Sequence, residues 1–268
     1  MPISPNGRRG GRGPGHEPRP DAELLEGRAG ADPALEVALQ ETLLAMVAAG
    51  THRPVVRCYR PLATVAFSRR DGFLPGFSRA TVAARRHGFD PVIRAAGGRA
   101  AAYDDGCLVL DEIMPERDAM RSVRERFAGE ARRQAQALRS LGVDARVGQV
   151  PGEYCPGEFS VNARGQTKLA GAAQRIVGGG WLFSTVVVVS SARRVRAVLE
   201  DVYAELGLEW DPGTTGSVAD EAFEVGVEDV RRALLLDYTR RYRLLPASLG
   251  APELARAREV LERHRVQV

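Results

Sequence analysis

Between Gly152 and Arg175 the chain runs GEYCPGEFSVNARGQTKLAGAAQR. Arg164-Gly165 is a turn signal, so Lys168 opens a strand just after a turn, and small residues follow it at Ala170, Gly171, Ala172 and Ala173. Small side chains along a strand leave a groove that a long apolar ligand or another backbone can enter. A lysine at the mouth of such a groove can pin a carbonyl or phosphate oxygen. Lys168 is also the single lysine among the 38 Lys and Arg residues. High Ala and Gly content suggests a GC-rich coding sequence that has replaced lysine wherever arginine serves. A position that stays lysine then either needs a compact point charge with an adjustable pKa or is a chance surface survivor.

Cys155 precedes Lys168 by 13 residues in a Tyr-Cys-Pro-Gly loop. A cationic neighbour lowers a thiol's pKa, and the thiolate is the nucleophile. The alternative is that Cys155 is a small buried hydrophobe, as free cysteines commonly are. On either side of this loop the chain reads as hairpins, with strands at Glu158–Ala163, Thr167–Val177 and Trp181–Val189 and a turn at Gly178–Gly180.

Upstream, Arg94-Ala-Ala-Gly97-Gly98-Arg99 lies between two strand-like runs. Paired glycines let backbone amides approach a ligand, and flanking arginines complement a carboxylate or phosphate. Alone, the same pattern equally describes a plain hairpin. Helical periodicity begins at Asp32-Pro33 and stops at Gly50; further helices are expected at Ser78–His87, Asp118–Leu141, Ala192–Leu206, Glu228–Tyr242 and Pro252–His264. Strands in the middle and helices at both ends predict an α+β fold, with helices packed on a mainly antiparallel sheet.

Composition narrows the function classes. A net charge of +4, partly held by Arg8, Arg9, Arg12 and Arg19, gives no dedicated basic face for nucleic acid. The apolar run Trp181–Val189 is of strand length, so no membrane span and no secretion signal are expected. Cys58, Cys107 and Cys155 are an odd number at no metal-ligand spacing, which reads as free thiols of a reducing cytoplasm with no bound metal. Cys58 and Cys107 sit in apolar runs and read as core. The histidines form no nucleophile–base spacing. Asp104-Asp105 reads either as a substitute base or as a solvated turn, and Asp71-Gly72 as a turn. Arg193-Arg194-Val-Arg196 reads as a solvated helix face, with docking of an acidic carrier as the other option.

Together, R-x-x-G-G-R at Arg94–Arg99 and K-x-x-G-x-A-Q at Lys168–Gln174 resemble the lipoate–protein ligase, octanoyltransferase and biotin–protein ligase superfamily. The opening helix with Leu43-Leu44 and the runs Val55–Arg60 and Thr64–Arg69 extend the resemblance, which covers roughly residues 35–242. It is closer to the lipoate and octanoate branch than to the biotin branch, whose loop alternates glycine and arginine. Asp104 follows Tyr103 where many members carry histidine, so no histidine role carries over.

The resemblance implies a biotin/lipoate-ligase-like catalytic domain over residues 31–216, after a disordered Gly/Pro/Arg-rich tail over 1–30 and before a helical segment over 217–268. It implies that Arg94, Gly97, Gly98 and Arg99 line an acyl or acyl-adenylate pocket. Lys168 would hold the acyl carbonyl or its adenylate, and the apolar tail would lie against the small residues Ala170 to Ala173, Gly171 and Ala172 among them. The implied reaction moves octanoate or lipoate onto a lysine of a lipoyl carrier domain or glycine-cleavage H-type protein in a bacterial cytoplasm. In the transferase form Cys155 carries the acyl group, received from such a protein or from acyl carrier protein, and no cofactor is needed. In the ligase form ATP and Mg2+ generate an adenylate. The remaining alternative is a non-catalytic binder of acyl-carrier or lipoyl domains.

Overall fold

The computed structural model describes residues 18–266. In chain order the strands and helices are β1 (Asp21–Glu26), α1 (Pro33–Ala48), β2 (Val55–Tyr59), β3 (Thr64–Ser68), α2 (Phe77–Arg86), β4 (Asp90–Arg94), β5 (Ala101–Tyr103) and β6 (Cys107–Pro115). There follow α3 (Val123–Arg139), β7 (Ala145–Val147), β8 (Val161–Ala163), β9 (Thr167–Val177), β10 (Gly180–Val188), α4 (Ala192–Leu206), α5 (Val218–Glu221), α6 (Val227–Arg241), β11 (Arg243–Ala247) and α7 (Ala251–Val260).

Eight strands form one sheet in the order β11-β1-β2-β6-β10-β9-β8-β7, and three form a second in the order β4-β3-β5. In the large sheet only β11–β1 and β1–β2 run parallel; the other neighbours are antiparallel, as the hairpin pattern predicts. Alternation along β2, β6 and β10 sends Val55, Ile113 and Leu182 to one face. There they pack on Leu35, Leu39 and Leu43 of α1. The next residues, Val56 and Phe183, face the other way and join α3 and α6 through Leu138, Leu234 and Tyr238. The second sheet packs its Val65, Phe67 and Ala102 on α2 and α4.

α1 starts where expected, because the Asp32 carboxylate accepts from the Ala34 amide at 2.9 Å with Pro33 in the first turn. α4 spans Ala192–Leu206 as its periodicity predicts, closed by Gly207 at φ +67°. The hairpin turn at Arg164-Gly165 has both residues at positive φ, +55° and +77°, as its sequence requires.

Several boundaries differ from expectation: α3 begins at Val123 and not at Asp118, and β8 at Val161 and not at Glu158. The expected tail over 1–30 does not run to Gly30: Asp21–Glu26 is β1, slotted between β2 and β11 with Ala22 and Leu25 buried. Residues 1–17 lie outside the described residues. The segment after 217 is not wholly helical, because Arg243–Ala247 forms β11 against β1. Both strands are short and polar-flanked and pair with each other across more than 200 residues, which local pattern cannot register.

Candidate active site

β9 carries the lysine, and the loop before β8 carries the cysteine. Lys168 is 2 % exposed. Its Nζ donates to the carbonyls of Tyr154 at 3.1 Å and Cys155 at 2.8 Å, and lies 3.5 Å from Glu153 Oε1 and 4.9 Å from the Tyr154 ring centroid. Three donors thus meet two carbonyls and a carboxylate, all belonging to one loop. Burial lowers the Lys168 pKa and Glu153 opposes the shift. Gly171 is fitted to this path: a Cβ there would stand 2.9 Å from Lys168 Cε.

Glu153 organises the same loop. Its Oε1 accepts from the Ser160 hydroxyl at 2.6 Å and the Gly157 amide at 2.9 Å. Cys155 is held at φ +42°, a backbone region that a residue with a Cβ rarely occupies. Its amide donates to the Tyr203 hydroxyl at 2.8 Å. Its Sγ accepts from the Arg99 amide at 3.2 Å and lies 3.7 Å from an Arg94 guanidinium nitrogen. Burial pushes this thiol up, but Arg94, Lys168 and the Arg99 amide outweigh it, leaving the pKa below the ordinary thiol value. Cys58 and Cys107 are the contrast. Burial pushes each to about 12, in Cys107 against a hydrogen bond from the Asp104 backbone, and both are core as expected.

The glycine turn sits against the sulfur. Gly98 has φ +106°, and a Cβ there would lie 2.6 Å from an Arg94 nitrogen and 2.9 Å from Cys155 Sγ. Gly97 has open space where its Cβ would stand and faces the cavity. Arg94 also donates to the Arg99 carbonyl at 2.8 Å, closing the turn, while the Arg99 guanidinium reaches Asp71 Oδ1 at 3.3 Å. Arg94, Gly97, Gly98, Arg99, Cys155, Lys168, Gly171 and Ala172 therefore meet around one site.

That site opens into a cavity of about 810 Å³, with Val37, Phe127, Phe159, Ile176 and Val186 among its walls and Arg94–Gly98 and Cys155 on its rim. The paired register places Arg57, Asp111, Ser184 and Ala173 in one cross-strand row on the face toward α1. Gln40 of α1 donates to Asp111 at 2.9 Å and to Ser184 at 3.3 Å, and Gln40 and Ser184 add to the polar part of a cavity wall that also holds Lys168, Gln174 and Arg175.

Several residues of this site are not visible in the sequence as functional. Asp71 lies in a turn as expected, yet its carboxylate is fully buried: Oδ2 accepts from the Ser68 amide and hydroxyl, each at 2.9 Å. The S-x-x-D spacing was the available signal. Glu153 and Tyr203 had none. Asp104-Asp105-Gly106 forms the expected turn, with the Cys107 amide donating to the Asp104 carbonyl at 2.9 Å and Asp105 exposed, but the Asp104 side chain itself is 1 % exposed and pairs with Arg194 at 2.9 Å. On α4, Arg193 and Arg194 are exposed, as the solvated-face reading expects, with Arg194 also paired to Asp104, while Arg196 donates to the Thr215 carbonyl at 2.8 Å.

The site thus sets a cysteine loop held by a buried lysine beside a cavity of mixed apolar and polar lining. Residues 32–237 match the lipoyl protein ligase A/B catalytic domain, and the chain belongs to that family. It is similar to the octanoyl-[GcvH]:protein N-octanoyltransferase of Geobacillus kaustophilus, 31% identical over 170 residues that make up 63% of this chain and 60% of that protein. The protein of the same name from Exiguobacterium sibiricum is 34% identical over 179 residues, 62% of this chain and 60% of the relative. The lipoyl-[GcvH]:protein N-lipoyltransferase of Listeria monocytogenes is 24% identical over 197 residues, 68% of this chain and 69% of the relative. The chain thus matches about three fifths of the length of the first two relatives.

Among solved structures, lipoate-protein ligase A bound with ATP superposes with a TM-score of 0.70 at 19% identity, covering 90% of this chain and 94% of that one. The bi-partite lipoate protein ligase of Thermoplasma acidophilum gives 0.69 at 21% identity, covering 91% and 92%. Both show that the fold is shared. No helix among the described residues is long and apolar enough to cross a membrane.

Proposed function

We propose that this protein is an acyltransferase that moves an octanoyl or lipoyl group from an acylated carrier onto a lysine of a lipoyl-type domain, by way of a thioester on Cys155. The observation that carries this reading is the sulfur itself, held against the Arg99 amide at 3.2 Å on the edge of the cavity. Its pKa is lowered from the ordinary thiol value by Arg94, Lys168 and the Arg99 amide, which raises the fraction present as the nucleophilic thiolate. The thiolate attacks the acyl carbonyl, a C–S bond forms, and the carrier's leaving atom departs with a proton. The acceptor amine then attacks the thioester, the C–N bond forms, and the Cys155 thiolate is released as the amine loses its proton.

In this reading Lys168 acts through the loop as well as through its charge. Its ammonium holds the Tyr154 and Cys155 carbonyls and lowers the thiol pKa. Arg94 and Gly98 shape the place where the acyl carbonyl meets the sulfur. The alkyl chain lies along Gly171 and Ala172 into the cavity. Octanoyl- and lipoyl-[GcvH] transferases among the relatives support an H-type carrier as partner. Bacterial relatives and three free cysteines support a bacterial cytoplasmic setting.

An adenylate-forming ligase fits the site less well. The turn arginines that would face phosphate are engaged in part by the protein, Arg94 through one nitrogen on the Arg99 carbonyl and Arg99 on Asp71. The transferase reading needs neither ATP nor Mg2+.

The deciding experiment incubates the purified chain with an octanoylated glycine-cleavage H protein, then with a lipoyl domain, and follows both by intact mass. An octanoyl adduct on the chain that Cys155→Ser abolishes, together with product on the domain, is the expected result. Product that requires ATP and survives Cys155→Ser would establish the ligase instead. Binding without product under either condition would leave a carrier-binding protein.

A further inference from the structure

We propose that Tyr203 of α4 is a positioning residue for the nucleophile: its hydroxyl ties the cysteine loop to the glycine turn and so fixes Sγ against the Arg99 amide. The inference rests on the reading of Cys155 as the acyl carrier, and it concerns a residue on a different element from every other member of the site.

Tyr203 is 2 % exposed, and its hydroxyl makes two bonds. It accepts the Cys155 amide proton at 2.8 Å and donates its own to the Ala100 carbonyl at 2.9 Å. Ala100 directly follows Arg99, whose amide donates to Cys155 Sγ at 3.2 Å. One oxygen therefore joins both halves of the site, with the backbone of the nucleophile on one side and the chain entering β5 on the other. Trp210 packs beside the ring, with centroids 5.4 Å apart.

The bond matters because of where Cys155 sits. At φ +42° the residue occupies a backbone region that is costly for a side chain and that surrounding bonds must enforce. The Lys168 ammonium holds its carbonyl at 2.8 Å, while Tyr203 holds its amide. Removing the phenolic oxygen leaves the Cys155 amide without a partner in a buried place, and a buried donor is relieved by moving toward another acceptor. Any such rotation carries Sγ away from the Arg99 amide and from Arg94. Misplacement of a reacting atom by about 1 Å costs on the order of a hundredfold in rate.

The test is Tyr203→Phe in the full chain, with Trp210→Phe as a packing control that keeps the hydroxyl. Two quantities are read: the midpoint of the pH profile for alkylation of Cys155 by iodoacetamide, and single-turnover acylation of Cys155 by the octanoylated H protein. Tyr203→Phe is expected to raise the alkylation midpoint and to slow acylation by about tenfold to a hundredfold, with carrier KM unchanged. Trp210→Phe is expected to lower the unfolding temperature while leaving the alkylation midpoint in place. An unchanged midpoint and acylation rate in Tyr203→Phe, or equal shifts in both variants, overturns the proposal. Should Tyr203→Phe fail to fold, hydrogen exchange on the wild-type protein serves instead: a protected Cys155 amide supports the bridge, and a freely exchanging one removes it. If wild-type Cys155 takes no acyl group while its alkylation midpoint still moves in Tyr203→Phe, acyl transfer falls and the positioning role stands.

Discussion

Lys168 donates to two successive carbonyls, those of Tyr154 and Cys155, and sits beside Glu153. A point charge on a flexible stem satisfies that arrangement. A planar guanidinium does not, least of all with Gly171 pressed against the stem and a Cβ contact of 2.9 Å already implied there. Lys168→Arg should therefore fold less stably and lose acyl transfer by at least about a hundredfold; retention of near-wild-type turnover by that variant would show that only the charge matters. Gly98→Ala is expected to separate Arg94 from Sγ and to place a side chain at φ +106°, at a backbone cost of about 1–2 kcal/mol. Its signature is a raised thiol pKa with a modest fall in unfolding temperature. In the wild-type chain the alkylation rate of Cys155 should rise with pH through a midpoint below about 8.5, the ordinary thiol value, because Arg94, Lys168 and the Arg99 amide stabilise the thiolate. A midpoint above that value would remove the electrostatic account of the site.

Among the elements, α6 is joined to the sheet by charge. Glu112 of β6 is buried and accepts from Arg241 at 2.8 Å and Tyr242 at 2.6 Å, with Glu130 of α3 sharing the same arginine at 3.0 Å. Burial and the nearby Glu130 push the Glu112 carboxyl up to about 8 against the pull of Arg241. An unfolded glutamate releases its proton near 4.3, so between the two values the native state binds more protons than the unfolded one. Stability from this group is fully present below about 4.3 and is lost as pH rises toward 8. Glu112→Gln should flatten that slope in thermal unfolding measured across this range; an unchanged slope would assign the effect elsewhere.

Legibility in the sequence follows the same division. Elements whose signals are local, such as α1 with its Asp32-Pro33 start, α4 with Gly207, and the β9–β10 hairpin, lie where periodicity and turn residues put them. The pairing of the Cys155 loop with Lys168 of β9 was legible because motif spacing carried it. Glu153, Asp71 and Tyr203 were not, because their roles come from burial and distant partners: a carboxylate or phenol looks the same in sequence whether it meets water or a nucleophile's backbone.

For the whole molecule, the last residues reach back to the site. β11 pairs with β1, and His264 clasps Ile93 of β4 from both sides, accepting from its amide at 2.9 Å through the backbone and bonding to its carbonyl through Nδ1 at 2.8 Å. Ile93 immediately precedes Arg94. A chain ending after Tyr242 would therefore expose β1 as an edge strand and release β4 beside the glycine turn. Such a truncation should lower the unfolding temperature and also slow Cys155 alkylation; a drop in stability with wild-type alkylation would show that the clasp does not reach the sulfur.

The burial of Lys168 bears on the chemistry in another way. A protein proposed to place acyl groups on amines carries one lysine side chain of its own, 2 % exposed and turned onto its own backbone. Its outer face therefore presents arginines, which do not accept acyl groups, and no bystander ε-amine competes with the carrier for the thioester. After turnover and cleavage of the thioester with hydroxylamine, every stable side-chain amide should be found on the acceptor and none on the protein that made it.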